Sequence, residues 1–140
     1  MPSEIKKPMG ALDSVKQQLK PFQPTDWKPN LKDVREDGSL KGAGYFGTLK
    51  RPDGGVSGEL SIGVNLGGKE MEIPSMVPTL SKEEFNYLMT THPDEHHTAN
   101  PQVWKSIVQK AVEHAKSRML YGKPVFAQEH EEGSFQQPSF

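Results

Sequence analysis

The stretch SGELSIGVNLGGKEMEI, residues 57–73, decides the fold. Apolar residues alternate with polar residues or glycine on both sides of Gly67 and Gly68, and a period of two is typical of a strand with one buried face. Two glycines accept the positive φ angles of a two-residue hairpin turn. The stretch therefore predicts two antiparallel strands, residues 57–66 and 69–73, joined by a tight hairpin.

The turn also fixes the register of this hairpin. The predicted cross-strand pairs are Leu66 with Lys69, Val64 with Met71, and Ile62 with Ile73. Apolar side chains then lie opposite one another on one face, as cross-strand packing requires. A slip of one residue would place Val64 opposite a glutamate. Glu59, Glu70 and Glu72 are predicted on the other face, which we expect to be solvated.

A third strand is predicted at residues 45–50. The turn RPDGG, residues 51–55, joins it to the hairpin, because proline presets φ and glycine accepts positive φ. The three strands would form an antiparallel meander with residues 45–50 at its edge. An edge strand can accept a strand of another chain, so Tyr45 is a predicted partner-binding residue.

Two helices are predicted after the sheet. Ser81 and Glu84 form a capping box at the start of the first helix, and Asn100 caps the second with Pro101 at its first position. The second helix carries an apolar stripe at helical spacing. The stripe consists of Trp104, Ile107, Val108, Ala111, Ala115 and Met119. The predicted fold class is α+β, a three-stranded antiparallel meander packed on two helices.

Composition divides the chain into this β-β-β-α-α domain, residues 43–127, and two arms. Hydrophobic residues make up only 33% of the 140 residues, and the 13 glycines and 12 prolines exceed the usual share. We therefore do not expect the whole chain to pack into its own core. Residues 1–42 are predicted as an extended proline-rich arm with a short helix at residues 11–20. Residues 128–140 are predicted as a C-terminal tail.

Four aromatic residues lie in the predicted arms: Phe22 and Trp27 before the domain, and Phe135 and Phe140 after it. Phe22 and Trp27 either fold back on the chain's own domain or anchor a neighbouring subunit. Aromatic side chains give a large contact area for little lost entropy, so they dominate many interfaces. All four are predicted partner-binding residues, together with Tyr45.

The loop HPDEHH, residues 92–97, carries residue types that can ligate zinc or another divalent metal. It lacks the H-E-x-x-H spacing that places two histidines on one helix face. We therefore predict a solvated loop with a helix cap, and we predict no catalytic residues, no metal and no cofactor.

Charge and hydropathy narrow the class of partner. The net charge of −1 provides no bulk attraction to nucleic acid or acidic lipid. The N-terminus lacks the apolar run of a signal peptide, and no stretch approaches the ~20 apolar residues of a membrane span. The sequence therefore predicts a soluble protein made in a cytoplasm, with no specific nucleic-acid partner.

The segment GYFGTLKRPDGGVSGELSIGVNLGGKEMEIPSMVPTLSKEE, residues 44–84, resembles a small module of tailed-bacteriophage virion proteins. The helix at residues 103–119 and the segment YGKPVFA, residues 121–127, continue the resemblance. It implies a non-enzymatic structural or accessory part of a virion, in the tail, the head–tail connector or the capsid surface. Its implied partners are other virion proteins in a symmetric multi-copy assembly, and it assigns no catalytic residues.

Other classes of function stay open at this point. One is a soluble regulatory or host-interaction module that binds one protein through its helix face. Another is a small hydrolase that uses residues 92–97 with a metal. A protein packaged in the particle and ejected into the host is a variant of the virion hypothesis.

Overall fold

The structure, a computed structural model, describes residues 27–136, and for residues 27–29 it describes the backbone alone. The predicted helix at residues 11–20 and the predicted partner-binding residues Phe22 and Phe140 lie outside this part of the chain.

Within the described residues, the chain forms five strands and two α-helices, so its fold is α+β as predicted. The elements are β1 (Trp27–Pro29), β2 (Leu49–Lys50), β3 (Val56–Ser57), β4 (Ser61–Leu66), β5 (Lys69–Pro74), α1 (Lys82–Thr90) and α2 (Pro101–Leu120). Short 3-10 helices follow α1 at Pro93–Glu95 and α2 at Glu129–Glu131. Both α-helices come after the strands, as predicted.

The β4–β5 hairpin has the register that the sequence predicts. Leu66 pairs with Lys69, Val64 with Met71, and Ile62 with Ile73. Gly67 and Gly68 form the turn with φ angles of 61° and 90°, in the left-handed region that glycine occupies without strain. This hairpin is the centre of the main sheet, whose strand order is β1-β4-β5 and whose pairs are all antiparallel.

The predicted meander needs correction. Residues 45–50 contribute only the short strand β2, which pairs with β3 in a separate two-stranded sheet. The backbone of Leu60 lies in the left-handed region with φ 46°, so the strand predicted over residues 57–66 is broken between β3 and β4. The position beside β4 is taken by β1, which comes from the predicted N-terminal arm, with Trp27 opposite Val64.

The core lies between the main sheet and the two helices. The predicted stripe of α2 is confirmed, because Trp104, Ile107, Val108, Ala111 and Ala115 are buried and Met119 packs against them. Phe85 and Leu88 of α1 are fully covered, and they meet Ile62, Val64 and Ile73 of the sheet in one continuous cluster.

Both predicted helix caps are present. The Asn100 side chain accepts a hydrogen bond from the Val103 amide, with Pro101 at the first helical position. The Ser81 hydroxyl accepts from the Glu84 amide at 3.1 Å, and the Glu84 carboxylate accepts from the Ser81 amide at 2.7 Å. The Glu84 carboxylate also contacts Ser106 and Lys110 of α2, so the cap joins the two helices.

Removing the cap of α1 gives a test of this arrangement. We expect Ser81→Ala to lower the free energy of unfolding by about 1 kcal/mol, because the Glu84 amide loses its acceptor at the helix N-terminus. Ser81→Thr keeps an acceptor oxygen and should lose less. Urea unfolding followed by far-UV circular dichroism measures both variants, and equal losses would contradict the assigned role of the hydroxyl.

Candidate functional site

Among the residues that the structure describes, the most buried ion pair joins Arg35 to Glu59, whose side chain is only 3% exposed. The guanidinium donates from Nε to Oε2 at 3.0 Å and from Nη2 to Oε1 at 2.6 Å. The hydrogen bonds that Arg35 donates to Glu59 raise the pKa of Arg35 against the opposing effect of its burial. The Gly42 amide donates to Oε1 at 2.8 Å, and the guanidinium also lies 3.9 Å from the centre of the Phe126 ring.

A second glutamate, Glu72 of β5, also binds residues 30–42. The Glu72 carboxylate accepts from the Asn30 side chain at 2.5 Å and from the Glu36 amide at 2.6 Å. The prediction of a solvated outer face is therefore wrong for Glu59, which is buried, and for Glu72, which is half-buried. Residues 30–42 lie on the sheet through these carboxylates, and the boundary predicted at residue 43 falls inside the folded unit.

The segment after α2 is held in a similar way by Arg118. Its Nη1 and Nη2 atoms donate to the two carboxylate oxygens of Glu131 at 2.7 and 2.8 Å, and its Nε donates to the Pro124 carbonyl at 2.6 Å. The bonds from Arg118 lower the pKa of Glu131 to about 2. Residues 124–135, named the C-terminal strap below, therefore lie on the domain, although residues 128–140 were predicted as a tail.

The far end of the C-terminal strap binds backbone groups near Tyr45. The bonds run from the Ala43 amide to the Glu132 carboxylate, from the Gly133 amide to the Gly44 carbonyl, and from the Phe135 amide to the Tyr45 carbonyl. The Phe135 ring lies edge-on to the Tyr45 ring, with their centres 5.8 Å apart. The structure thus brings together two of the five predicted partner-binding residues.

Tyr45 does not lie on an exposed edge strand as predicted. Its residue is 1% exposed, it precedes β2, and its hydroxyl donates to the Val125 carbonyl at 2.8 Å. Burial raises the pKa of Tyr45 to about 12, and burial lowers the pKa of His114, 4.9 Å away between ring centres, to about 4. Tyr45 is therefore a core residue, because Val125 and Phe135 of the C-terminal strap occupy the positions around its side chain that a partner would have to contact.

The histidine-rich loop divides between solvent and core. His92 is exposed, and its Nδ1 lies 2.6 Å from Asp94 Oδ1. His96 is 4% exposed, so the prediction of a solvated loop is wrong at this residue, and burial lowers its pKa. His96 Nε2 lies 2.9 Å from the Thr91 carbonyl, and its ring stacks on Trp104. Across residues 27–136, no three or more histidine, aspartate or glutamate side chains converge in a way that could hold a metal ion.

Large apolar side chains remain exposed at three places in the described structure: Phe135 of the C-terminal strap and two groups. The first group, named the hairpin group, comprises Leu31, Val34 and Leu40 of the N-terminal segment and Val56 of β3. Val34 and Leu40 form a β-bridge, and Leu31 and Val56 line one groove of about 350 Å³ beside the strained residue Leu60. The second group comprises Leu120 and Tyr121 at the end of α2, which are 59% and 79% exposed.

Sequence patterns did not reveal these two groups or the ion-paired arginines, the half-buried Arg35 and the buried Arg118. Arg35 and Arg118 bind carboxylates 24 and 13 residues away, and no local motif links such partners. Leu31 and Leu40 stand among polar residues without a period of two or 3.6, so nothing in their spacing distinguishes a buried position from an exposed one.

No helix within the described residues is long and apolar enough to cross a membrane. By its fold the chain belongs to the α+β class. It matches no model of a protein family, no curated protein and no solved structure.

Proposed function

We propose that this protein is a non-enzymatic structural or accessory component of a tailed-bacteriophage virion, present in many copies and bound to other virion proteins. It is made in the host cytoplasm and resides in the particle. The resemblance of residues 44–127 to a virion module supports the location. The observation that carries the binding role is the hairpin group, because four large apolar side chains stay exposed on one segment and its neighbouring strand.

Two further features support a binding role over a catalytic one. The buried carboxylates Glu59 and Glu84 are engaged by side chains and backbone amides that hold segments together. The buried histidine His96 donates toward backbone carbonyls and stacks on Trp104. The hydrogen bonds of these buried groups thus serve the structure of the domain. The exposed leucines and Tyr121, by contrast, present apolar surface that a partner can bury.

Quantitative mass spectrometry of purified particles tests the location. Isotope-labelled peptides of this chain, added to particles purified by density gradient, give its copy number relative to the major capsid protein. We expect a fixed stoichiometric copy number that survives protease treatment and washing in high salt. Traces that vary between preparations and disappear on washing would contradict the proposal.

A pair of surface variants tests which residues bind the neighbours. Leu40→Ser and Tyr121→Ser each remove a large exposed side chain, so the stability of the free protein should change by no more than about 0.5 kcal/mol. If these side chains are interface anchors, particles complemented with the double variant should contain about tenfold less of the protein, since such truncations often cost more than 1 kcal/mol of binding.

The control for this experiment is Lys105→Ser, an exposed polar position on α2. Thermal unfolding of each purified variant separates an assembly defect from a folding defect. Wild-type incorporation of the double variant would show that neither apolar group is part of the interface in the particle.

A further inference from the structure

The outer edge of β5 presents backbone groups that the sheet does not use. Within residues 27–136, β5 pairs with β4 on one side and has no strand on the other. A two-residue hairpin closes with a hydrogen-bonded pair, here Leu66 and Lys69, and bonded and non-bonded pairs then alternate along the ladder. The pair of Gly63 with Glu72 is therefore non-bonded, and the N–H and C=O of Glu72 face away from β4.

Proline placement agrees with this alternation. Pro74 pairs with Ser61, two residues beyond the pair of Gly63 and Glu72, so its missing N–H would also face outward and the ladder loses nothing. The Ser61 carbonyl instead accepts from the Asn30 amide on the opposite side of β4. The outer edge of β5 thus offers the N–H and the C=O of the half-buried Glu72, whereas Pro74 is buried.

A groove of about 520 Å³ runs along this edge, a volume typical of ligand sites of about 300–1,000 Å³. Residues 35–37 form one wall and residues 124–126 form the other. Met71, Val125 and Phe126 contribute half-buried apolar surface to it. The groove therefore combines a sheet edge with apolar contacts, which is how extended peptides are recognised by strand addition.

The charge of the groove selects its occupant. Glu36, Asp37, Glu70 and Glu72 line it, and the first three are exposed. Arg35 is the one cation among the described lining residues, and its charge is already balanced by the buried carboxylate that it binds. With Glu70 left aside, Glu36, Asp37 and Glu72 still give the groove a surplus of negative charge, which favours a basic segment and opposes an acidic one.

We propose that this groove docks an extended segment of a neighbouring subunit that carries lysine or arginine at alternate positions, and that this segment adds a strand to the outer edge of β5. The strand supplies a carbonyl for the Glu72 N–H and an N–H for the Glu72 carbonyl, and its basic side chains meet the acidic walls. That the occupant is a neighbouring subunit rests on the proposed function. The docking geometry rests on the edge of β5 and the lining of the groove, and it is independent of the proposed function.

A synthetic probe tests the docking in solution with the full chain. The probe is a blocked seven-residue peptide, Lys-Val-Lys-Val-Lys-Val-Lys, and its matched control carries glutamate in place of lysine. We expect saturable binding of the lysine peptide by calorimetry, at least tenfold weaker binding of the glutamate peptide, and slower hydrogen exchange at the Glu72 amide when the lysine peptide is bound. Binding should weaken as salt is raised.

Two variants and one modified peptide separate strand addition from simple charge attraction. Glu36→Lys combined with Glu70→Lys should weaken binding at least tenfold, whereas Glu113→Lys, an exposed position on α2, should leave it unchanged. A lysine peptide methylated at alternate backbone nitrogens keeps its charge but cannot donate to the edge, so it should also bind at least tenfold more weakly. Equal binding of the methylated peptide would overturn the proposal.

The remaining outcomes also decide the matter. Self-association of the chain that the Glu36→Lys and Glu70→Lys pair abolishes would identify a second copy as the occupant and overturn the assignment to a basic partner. If this chain is found in stoichiometric amounts in particles but does not bind the lysine peptide, the docking site is overturned and the proposed function is not. Peptide binding by a protein absent from particles would contradict the proposed function and leave the site standing.

Discussion

Replacing Arg35 with methionine is expected to lower the free energy of unfolding by about 3 kcal/mol. The substitution keeps much of the side chain's length and removes the charge, which leaves the 3% exposed Glu59 carboxylate with the Gly42 amide as its remaining hydrogen-bond donor among the described residues. Breaking a buried ion pair by removing one partner typically costs 3–5 kcal/mol, because the other charge remains desolvated. Urea unfolding at neutral pH measures the loss.

A double-mutant cycle separates the pair from the surrounding packing. Glu59→Leu combined with Arg35→Met removes both charges, so the double variant should be more stable than Arg35→Met alone, with a deficit of about 1–3 kcal/mol from the unsatisfied Gly42 amide. Lys105→Met, at an exposed position, should change stability by no more than about 0.5 kcal/mol. A loss below 1 kcal/mol in Arg35→Met would mean that this pair does not hold residues 30–42 to the sheet.

The parts of the fold that the sequence predicts correctly depend on local interactions. The β4–β5 hairpin brings together residues at most 13 positions apart, and the two glycines and the alternation of apolar side chains specify one register. The helix caps involve residues three positions apart, and the stripe of α2 follows directly from helical geometry. In these elements every local preference agrees with the tertiary structure.

The strand predicted over residues 57–66 fails at one backbone angle. Leu60 adopts a positive φ, which leucine rarely does, so no propensity argument anticipates it. The amide of Ser75 donates to the carbonyls of both Glu59 and Leu60, and these bonds hold the kink in place. The kink directs β3 away from the main sheet, and β3 pairs with β2 in a separate sheet. The edge beside β4 is then filled by β1.

The predicted arms show what an argument from hydrophobic content misses. Residues 30–42 add no side chain to the hydrophobic core of the described structure, and the C-terminal strap adds the partly buried Val125 and Ala127. Bidentate ion pairs and backbone hydrogen bonds attach them instead, through Arg35 in one case and Arg118 in the other. Such contacts join residues far apart in the chain, so only the tertiary structure reveals them.

The exposure of the candidate binding residues also depends on contacts between residues far apart in the chain. The edge strand predicted at residues 45–50 implies an exposed Tyr45, but this residue is buried and the C-terminal strap covers it. Phe135 is 43% exposed and lies against Tyr45, so only part of its ring remains open. For Trp27 the structure gives a backbone position in β1, and partner binding by this residue stays a prediction.

The second large effect is expected at the C-terminal strap. Arg118→Met should lower the free energy of unfolding by about 2 kcal/mol, less than the cost for a fully buried pair, because the Glu131 side chain is 20% exposed. The same substitution removes donors from the Pro124 and Phe126 carbonyls. Hydrogen exchange at the Phe135 amide, which donates to the Tyr45 carbonyl, should become faster at neutral pH.

The same contact gives the strap a dependence on pH whose sign follows from Glu131. The bonds from Arg118 lower the pKa of Glu131 from an ordinary value of 4.5 to about 2, so the folded state favours the ionised carboxylate. The resulting stabilisation is complete above pH 4.5 and is lost as the pH falls toward 2. We therefore expect the exchange protection of Phe135, corrected for the intrinsic rate, to decrease between pH 5 and pH 3 in the wild-type protein.

Glu131→Gln provides the comparison, because it keeps the shape of the side chain without the titrating group. Asp37, Asp53 and Glu84 also have lowered pKa values, so the wild-type protein loses stability at acid pH for several reasons. The difference between the two proteins isolates Glu131: at pH 7 the variant should be less protected at Phe135, and toward pH 2 the two should converge. A constant difference across this range would mean that the ion pair with Arg118 does not hold the strap.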